Sequence, residues 1–155
     1  MSRIRIGVVG CGAIAQIQHI PHIKELRDLY ELVAVCDVSR QLVDFIGEMY
    51  QVPNRFTDYR DLLAADLDAV LLCFMDPKTE VAVAALEAGK HVFIEKPMCF
   101  SLQEADRILA AEKSSGATLM VGYMKQHDPG YQYARRQVDQ IPDIRFIQVN
   151  HLHPN

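Results

Sequence analysis

The 155-residue sequence has no tryptophan, no long apolar run and no excess of one charge. Its 7 prolines and 8 glycines are too few for a collagen-like or low-complexity chain. Lysine and arginine number 16 against 20 aspartates and glutamates, and this net charge of -4 is unlike the basic footprint of a nucleic-acid-binding protein. The apolar runs fall short of the ~18 residues of a membrane span, and no secretory signal is recognisable.

Cysteine is also sparse: Cys11, Cys36, Cys73 and Cys99 are widely spaced and form no C-x-x-C pair. We therefore expect reduced thiols in a cytoplasmic protein. The remaining composition, 50% hydrophobic and 23% charged, is typical of a globular domain that buries its own core. Function classes that need a nucleic acid or a membrane as partner are excluded by this reasoning.

Short β-rich runs alternate with helical stretches as far as residue 121. Strands separated by helices of this length predict βαβ units with right-handed crossovers. The expected fold class is therefore α/β, a doubly wound parallel sheet. The predicted strands are 4–9, 32–36, a short one at Phe56, 69–74, 91–94 and 118–121, and the predicted helices are 12–20, 21–30, 39–50, 58–65, 79–88 and 101–115.

The alternation changes after Val121. A turn at 128–130, a helix over 131–140 and a strand over 144–152 are predicted, and the apolar side of that strand has no partner in the remaining sequence. We divide the chain into a first domain, 1–122, and the incomplete start of a second α/β domain, 123–155. The unpaired strand is expected to be disordered or to pair with an edge of another chain.

A glycine-rich turn follows the first predicted strand directly and opens the first helix. It reads Gly10-Cys11-Gly12-Ala13-Ile14-Ala15, a G-x-G-x-x-A pattern. Gly10 permits the tight turn, Gly12 lets the backbone approach a pyrophosphate, and Ala15 keeps the helix close to the sheet. The helix N-terminus adds N–H groups and a positive partial charge. A ligand-free βα turn is the alternative, but a plain turn does not need these residues at every offset.

Asp37 ends the second predicted strand, where a carboxylate would accept hydrogen bonds from the adenosine ribose hydroxyls. The same charge would repel a 2′-phosphate, so Asp37 favours NAD over NADP. Arg40 lies near enough to offset that repulsion, and NADP therefore stays possible. The alternative is that Asp37 is only a loop carboxylate or a helix cap.

Glu95-Lys96-Pro97 follows the predicted strand 91–94, at the edge where ligands collect in open α/β sheets. A lysine in this place is either a solvated surface charge or a functional ammonium. Beside a nicotinamide and a substrate hydroxyl, Lys96 can donate hydrogen bonds and take part in proton transfer. Pro97 would fix the backbone so that Lys96 points at the cleft.

With these three features together, the chain resembles the glucose-fructose oxidoreductase/inositol dehydrogenase (Gfo/Idh/MocA) family. The similarity runs through nearly the whole sequence and is most specific between Ala85 and Pro97. The matching stretches are Ile6-Gly7-Val8-Val9-Gly10-Cys11-Gly12, Cys36-Asp37, Asp68-Ala69-Val70, Ala85-Leu86-Glu87-Ala88-Gly89-Lys90-His91-Val92, Glu95-Lys96-Pro97, Val121-Gly122-Tyr123 and Asp128-Pro129.

The resemblance implies an N-terminal Rossmann domain, a C-terminal α/β domain, and oxidation or reduction of sugar or cyclitol hydroxyls with NAD or NADP. It implies that Lys96 is the catalytic lysine, and it allows a cis Lys96–Pro97 bond. The full-length protein would be a homo-oligomer that acts on a small polyol or sugar, without a metal. The expected cofactor-binding residues are Gly10, Gly12, Ala13, Ile14, Ala15, Asp37, Arg40, Phe74, Glu95, Lys96 and Pro97.

Three departures from the family pattern matter. The loop after the fourth strand commonly carries a Pro and then a His, whereas here it reads Phe74-Met75-Asp76-Pro77-Lys78. Gln126 or His127 stands where an Arg often follows the sixth strand. The downstream Asp-x-x-x-His segment with the usual catalytic His is absent, so the chain alone is expected to be inactive.

The sequence therefore predicts the cofactor-binding part of an NAD(P)-dependent oxidoreductase. A non-catalytic dinucleotide-binding sensor or regulatory module is the main alternative, and a nucleotide-sugar or S-adenosylmethionine binder is a third. Neither alternative explains Glu95-Lys96-Pro97. The remaining candidates are interpreted as solvated, loop or packing residues: His151 and His153 on one strand face, His19 and His22 on one helical face, His127 and Cys99.

Overall fold

The computed structural model describes residues 2–148 of the chain. A π-helical turn, Ala15–His19, precedes the first α-helix, and a 3₁₀ turn, Met124–His127, precedes the last. The strands are β1 (Ile4–Val9), β2 (Tyr30–Cys36), β3 (Asn54–Phe56), β4 (Ala69–Leu72), β5 (His91–Ile94) and β6 (Leu119–Val121). The helices are α1 (Ile20–Glu25), α2 (Arg40–Met49), α3 (Tyr59–Leu63), α4 (Thr79–Glu87), α5 (Leu102–Ser115) and α6 (Pro129–Val138).

The six strands form one parallel sheet in the order β3-β2-β1-β4-β5-β6. This is the strand order of a doubly wound Rossmann fold, and the predicted fold class is confirmed. The direction of winding reverses between β1 and β4, the two central strands. Ligands of open α/β sheets bind in the crevice that opens at such a reversal, beyond the carboxyl ends of the strands.

Apolar side chains of the central strands alternate between two buried clusters, one on each face of the sheet. Leu62, Leu86 and Ile108 bring α3, α4 and α5 to the first cluster. Ile20 and Ile46 bring α1 and α2 to the second. Because helices cover both faces, the strands read as almost continuous apolar runs in the sequence.

Side-chain caps fix where several helices begin, at positions that the sequence predicted. The Ser39 hydroxyl accepts a hydrogen bond from Leu42 N–H, and the Ser101 hydroxyl accepts one from Glu104 N–H. Asp58 accepts from Arg60 N–H at the start of α3. Gly89 follows α4 with φ +71°, the left-handed conformation that ends a helix at glycine.

The helix predicted over 21–30 ends five residues early, at Glu25. Leu26 leaves the helical region, and Tyr30 already belongs to β2, where it pairs with Ile4 of β1. Pairing of Tyr30 with the first residue of β1 therefore prevails over the local helix propensity of residues 26–30. The turn before Pro21 is widened to the π form, in which Ile20 N–H bonds to the Ala15 carbonyl five residues earlier.

The chain divides after Gly122 into two compact units. In the second unit, α6 begins at Pro129 and is capped by Asp128, which accepts a hydrogen bond from Gly130 N–H. Of the strand predicted over 144–152, residues 144–148 lie in no strand and the others lie outside the described residues, as do His151 and His153. Residues 144–148 pair with no neighbouring strand among the described residues, and a single strand is not stable without such pairing. The prediction of a strand is therefore wrong for 144–148. Within residues 2–148, no helix is long and apolar enough to cross a membrane.

Candidate functional site

Gly10 is required by the fold itself. It closes β1 with φ +90°, a conformation that side chains other than glycine's rarely adopt, and its N–H bonds to the Cys36 carbonyl at 2.8 Å. A Cβ at this position would lie 3.0 Å from the backbone of Cys73 and Phe74. Gly10 therefore lets the carboxyl ends of β1, β2 and β4 approach one another, with or without a ligand.

Gly12 is different, because nothing in the packing of residues 2–148 requires it. A Cβ built there would meet no atom of these residues beyond its chain neighbours within 4 Å, and Gly12 lines a cavity of about 420 Å³. The missing side chain leaves space at the start of the helical turn that follows. A pyrophosphate in this position would face backbone N–H groups of the turn, so the residues present fit a dinucleotide.

Asp37 joins the second strand to the glycine-rich turn. One carboxylate oxygen accepts a hydrogen bond from Cys11 N–H at 2.8 Å, and the other accepts from Ser39 N–H at 2.9 Å. The carboxylate stays half-buried and lines both cavities described below. Each oxygen keeps a further lone pair, so Asp37 can accept from ribose hydroxyls without breaking these bonds.

Two cavities, of about 350 and 420 Å³, open along the carboxyl edge of the sheet. They share Gly10, Asp37 and Phe74 and together form one elongated crevice across the strand reversal. The first is also lined by Val9, Cys36, Val38, Thr57, Asp58, Tyr59, Arg60, Asp76 and Val81. The second is also lined by Gly12, Ala13, Ile14, Cys73, Met75, Glu95 and Lys96.

Lys96 is exposed on the wall of the larger cavity. Among the described residues, no hydrogen bond or ion pair engages its ammonium. Its backbone N–H donates to the Glu95 carboxylate at 3.1 Å, and the Lys96–Pro97 peptide bond is cis. The Lys96 ammonium is therefore available to a ligand, while the Lys96 backbone is held by its hydrogen bond to Glu95.

Two residues of this region were not identified as functional from the sequence. His19 Nε2 lies 2.8 Å from the second Glu95 oxygen, although the sequence interpretation left His19 as a packing or exposed residue. Lys78 is buried and donates from Nζ to the Pro97 carbonyl at 2.9 Å. Both contacts join segments that are distant in sequence, so no local pattern could have predicted them.

Three of the predicted cofactor residues lie away from the walls of the two cavities. Ala15 is fully buried beneath the first helical turn, which lies close to the sheet as its small side chain allows. Arg40 begins α2, is exposed, and pairs with Asp44 at 3.3 Å. Neither Arg40 nor Pro97 is among the described residues that line the two cavities.

Three cysteines surround the glycine-rich turn at the ends of β1, β2 and β4. Burial raises the pKa of Cys11, Cys36 and Cys73 to about 12. The nearby Asp37 carboxylate adds to this rise for Cys11 and Cys36. These thiols stay protonated near neutral pH and act as small packing groups. Residues 2–148 contain no cluster of three potential metal-ligating side chains.

The sequence and the fold match a known family. The family model described as "Oxidoreductase family, NAD-binding Rossmann fold" (GFO_IDH_MocA) matches residues 4–123. This chain belongs to the Gfo/Idh/MocA family. Residues 4–123 are therefore an NAD-binding Rossmann domain of that family, as the glycine-rich turn, Asp37 and the Glu-Lys-Pro motif predicted.

Similar Gfo/Idh/MocA proteins include dehydrogenases and a ketoreductase. The inositol 2-dehydrogenase/D-chiro-inositol 3-dehydrogenase of Shouchella clausii is 38% identical over 98% of this chain and 45% of its own length. The WlbA dehydrogenase of Bordetella pertussis, solved with NADH and UDP-GlcNAcA, has a TM-score of 0.84 at 28% identity, over 90% of this chain and 42% of that one. A 3-ketoreductase of Actinomadura kijaniata, solved with TDP-benzene and NADP, has a TM-score of 0.80 at 30% identity, over 89% and 44%. The chain thus spans less than half the length of the relatives it matches.

Proposed function

We propose that this chain is the cofactor-binding part of an NAD(P)-dependent oxidoreductase that interconverts hydroxyl and carbonyl groups of a polyol or sugar. The observation that carries the proposal is that Gly12, Asp37 and Lys96 line adjoining cavities at the reversal point of the sheet. The substrate class is supported by similar proteins named as inositol dehydrogenases.

The proposal gives each end of the cofactor its own part of the crevice. Backbone N–H groups after Gly12 would bind the pyrophosphate, and Asp37 would accept hydrogen bonds from the adenosine ribose. We propose NAD as the preferred form, because Asp37 repels a 2′-phosphate and Arg40 is paired with Asp44. The nicotinamide ring, when bound, supplies the site at which hydride is accepted or donated.

Lys96 is proposed as the catalytic residue. Its exposed ammonium on the cavity wall can donate hydrogen bonds to a substrate hydroxyl or carbonyl oxygen and hold a proton there. Glu95 fixes the backbone of Lys96 through the hydrogen bond from Lys96 N–H. Because the chain spans only 45% of the length of the similar Shouchella clausii dehydrogenase, we propose that these 155 residues bind cofactor without turning over substrate.

The residues after Gly122 are proposed as the start of the domain that binds substrate and forms a homo-oligomer. Six large apolar or aromatic side chains of this unit are more than half exposed, which supports an interaction surface here. They are Tyr123, Met124, Tyr133, Ile141, Phe146 and Ile147. A cytoplasmic location is part of the same proposal, since the free cysteines suit a reducing compartment.

Calorimetric titration of the 155-residue chain with NADH and with NADPH tests the proposal. We expect saturable binding of both, with NADH the tighter ligand. Absence of saturable binding at millimolar NADH would overturn the assignment of Gly12 and Asp37.

Emission of bound NADH then tests Lys96. Lys96→Met should change the emission of the bound nicotinamide, whereas Lys113→Met, on the exposed side of α5, should not. NADH binding with identical emission and affinity in Lys96→Met would instead favour a non-catalytic dinucleotide-binding module.

A further inference from the structure

Lys78 is the one buried charged residue among residues 2–148, with 1% of its surface exposed. Lysine side chains are long and flexible, and they normally carry the ammonium out to water. Lys78 stands directly before α4, next to the exposed residues Asp76 and Pro77, yet its side chain runs inward. Because a buried ammonium is unfavourable without partners, an inward lysine needs a specific interaction to hold it.

That interaction is a hydrogen bond of 2.9 Å from Lys78 Nζ to the carbonyl oxygen of Pro97. Burial lowers the pKa of Lys78, and the Glu95 carboxylate opposes this shift. Lys78 therefore ties the loop after β4 to the loop after β5. These loops carry Phe74 and Met75 on one side of the larger cavity, and Glu95 and Lys96 on the other.

The segment that carries Lys96 is held from both ends. On one side, His19 contacts the Glu95 carboxylate at 2.8 Å, and that carboxylate accepts the Lys96 N–H. On the other side, Lys78 holds the carbonyl of Pro97, the residue after Lys96. Lys96 itself stays exposed, so its freedom is confined to its side chain.

We propose that Lys78 is a positioning residue that orients Lys96 toward the nicotinamide end of the crevice by holding the Pro97 carbonyl. The inference rests on the proposed function, because it assumes that a nicotinamide cofactor occupies the cavity beside Lys96. It assigns a role to a residue of the loop where the sequence departs from the usual family pattern.

The test compares Lys78→Met with wild type for two ligands, NADH and ADP-ribose. ADP-ribose lacks the nicotinamide and contacts only the part of the crevice assigned to Gly12 and Asp37. We expect Lys78→Met to bind ADP-ribose as wild type does, to bind NADH about tenfold more weakly, as loss of a charge-assisted hydrogen bond would allow, and to alter the emission of bound NADH. A merely structural role would weaken both ligands together.

Lys90→Met is the matched control. Lys90 Nζ also donates to a backbone carbonyl, that of Leu67, at 2.9 Å, but next to the amino end of β5. This variant should leave both affinities and the NADH emission unchanged. Equal losses of NADH binding in the two variants would overturn the proposal, as would unchanged NADH binding in Lys78→Met.

A measurement on the wild-type chain covers the case in which Lys78→Met does not fold. Brief acetylation of native protein, followed by mass spectrometry, should modify Lys96 and Lys113 and spare Lys78, and NADH should protect Lys96. Acetylation of Lys78 as fast as Lys113 would overturn the inference alone. Absence of binding of both ligands to wild type would overturn the proposed function and this inference together.

Discussion

The carboxylate of Asp37 accepts a hydrogen bond from the backbone N–H of Cys11 at 2.8 Å, so the end of β2 is fastened to the glycine-rich turn after β1. The same group lines both cavities of the crevice. A single carboxylate thus shapes the turn and supplies the negative charge at the expected adenosine end. Under the proposed function, Asp37 therefore couples the structure of the turn to the choice between NAD and NADP.

Asp37→Asn is therefore expected to relax the preference for NADH over NADPH. Asparagine keeps an acceptor oxygen for the turn but removes the charge that repels a 2′-phosphate. We expect the ratio of the two affinities to fall about tenfold, the change that ~1.4 kcal/mol produces. Calorimetric titration of wild type and variant with both cofactors measures it. Asp106→Asn, which removes an exposed carboxylate of α5 that lines neither cavity, is the control, and an unaltered ratio in Asp37→Asn would contradict the role of the charge.

The two glycines of the turn should respond differently to substitution. Gly10→Ala forces a side chain into a positive-φ conformation and into contact with Cys73 and Phe74, so the free energy of unfolding should fall by ~1–3 kcal/mol. At position 12 an added Cβ meets no atom of the described residues beyond its chain neighbours within 4 Å, so Gly12→Val should leave the free energy of unfolding within ~0.5 kcal/mol of wild type while abolishing NADH binding. Urea unfolding and calorimetry separate the two effects. Full NADH binding by a folded Gly12→Val chain would show that this space is not used by the cofactor.

Most of the fold could be predicted from local patterns, because parallel strands buried on both faces read as apolar runs. β1 and β4 are such runs, and the glycine-rich turn and Asp37 stand at fixed offsets from their strands. The prediction of a helix over 21–30 was wrong beyond Glu25. Tyr30 pairs with Ile4 of β1, and this pairing depends on the assembled sheet and not on the local sequence. The same limit applies to the site. The contacts His19–Glu95 and Lys78–Pro97 join residues 76 and 19 positions apart, and only the folded chain brings them together.

The cysteines should differ in reactivity under native conditions. Burial raises the pKa of Cys11, Cys36 and Cys73 to about 12, so little thiolate forms at mildly alkaline pH. Cys99 is only partly buried. We expect iodoacetamide to modify Cys99 alone in the native chain and all four cysteines in urea, as counted by mass spectrometry. Rapid native modification of Cys11 would show that the turn opens to solvent.

Arg5 and Asp68 make the stability of the sheet depend on acid pH. The Arg5 guanidinium and backbone N–H both donate to the Asp68 carboxylate, at 2.8 to 3.2 Å, where the chain enters β4 beside β1. These hydrogen bonds lower the pKa of Asp68 from 3.8 to about 2. A carboxylate with a depressed pKa in the folded state contributes stability above its unfolded pKa. That contribution is lost as the pH falls through the folded pKa.

We therefore expect Asp68→Asn to unfold more easily than wild type at neutral pH, and the difference to shrink between about pH 4 and pH 2. Urea unfolding at a series of pH values measures it. Asp66→Asn is the control, because Asp66 also contacts Arg5 but is 85% exposed, where solvent screening leaves an ion pair little effect. A difference between Asp68→Asn and wild type that persists unchanged at the acid end would contradict the assignment. The lost stability would then come from packing or from hydrogen bonds that a neutral side chain makes equally well.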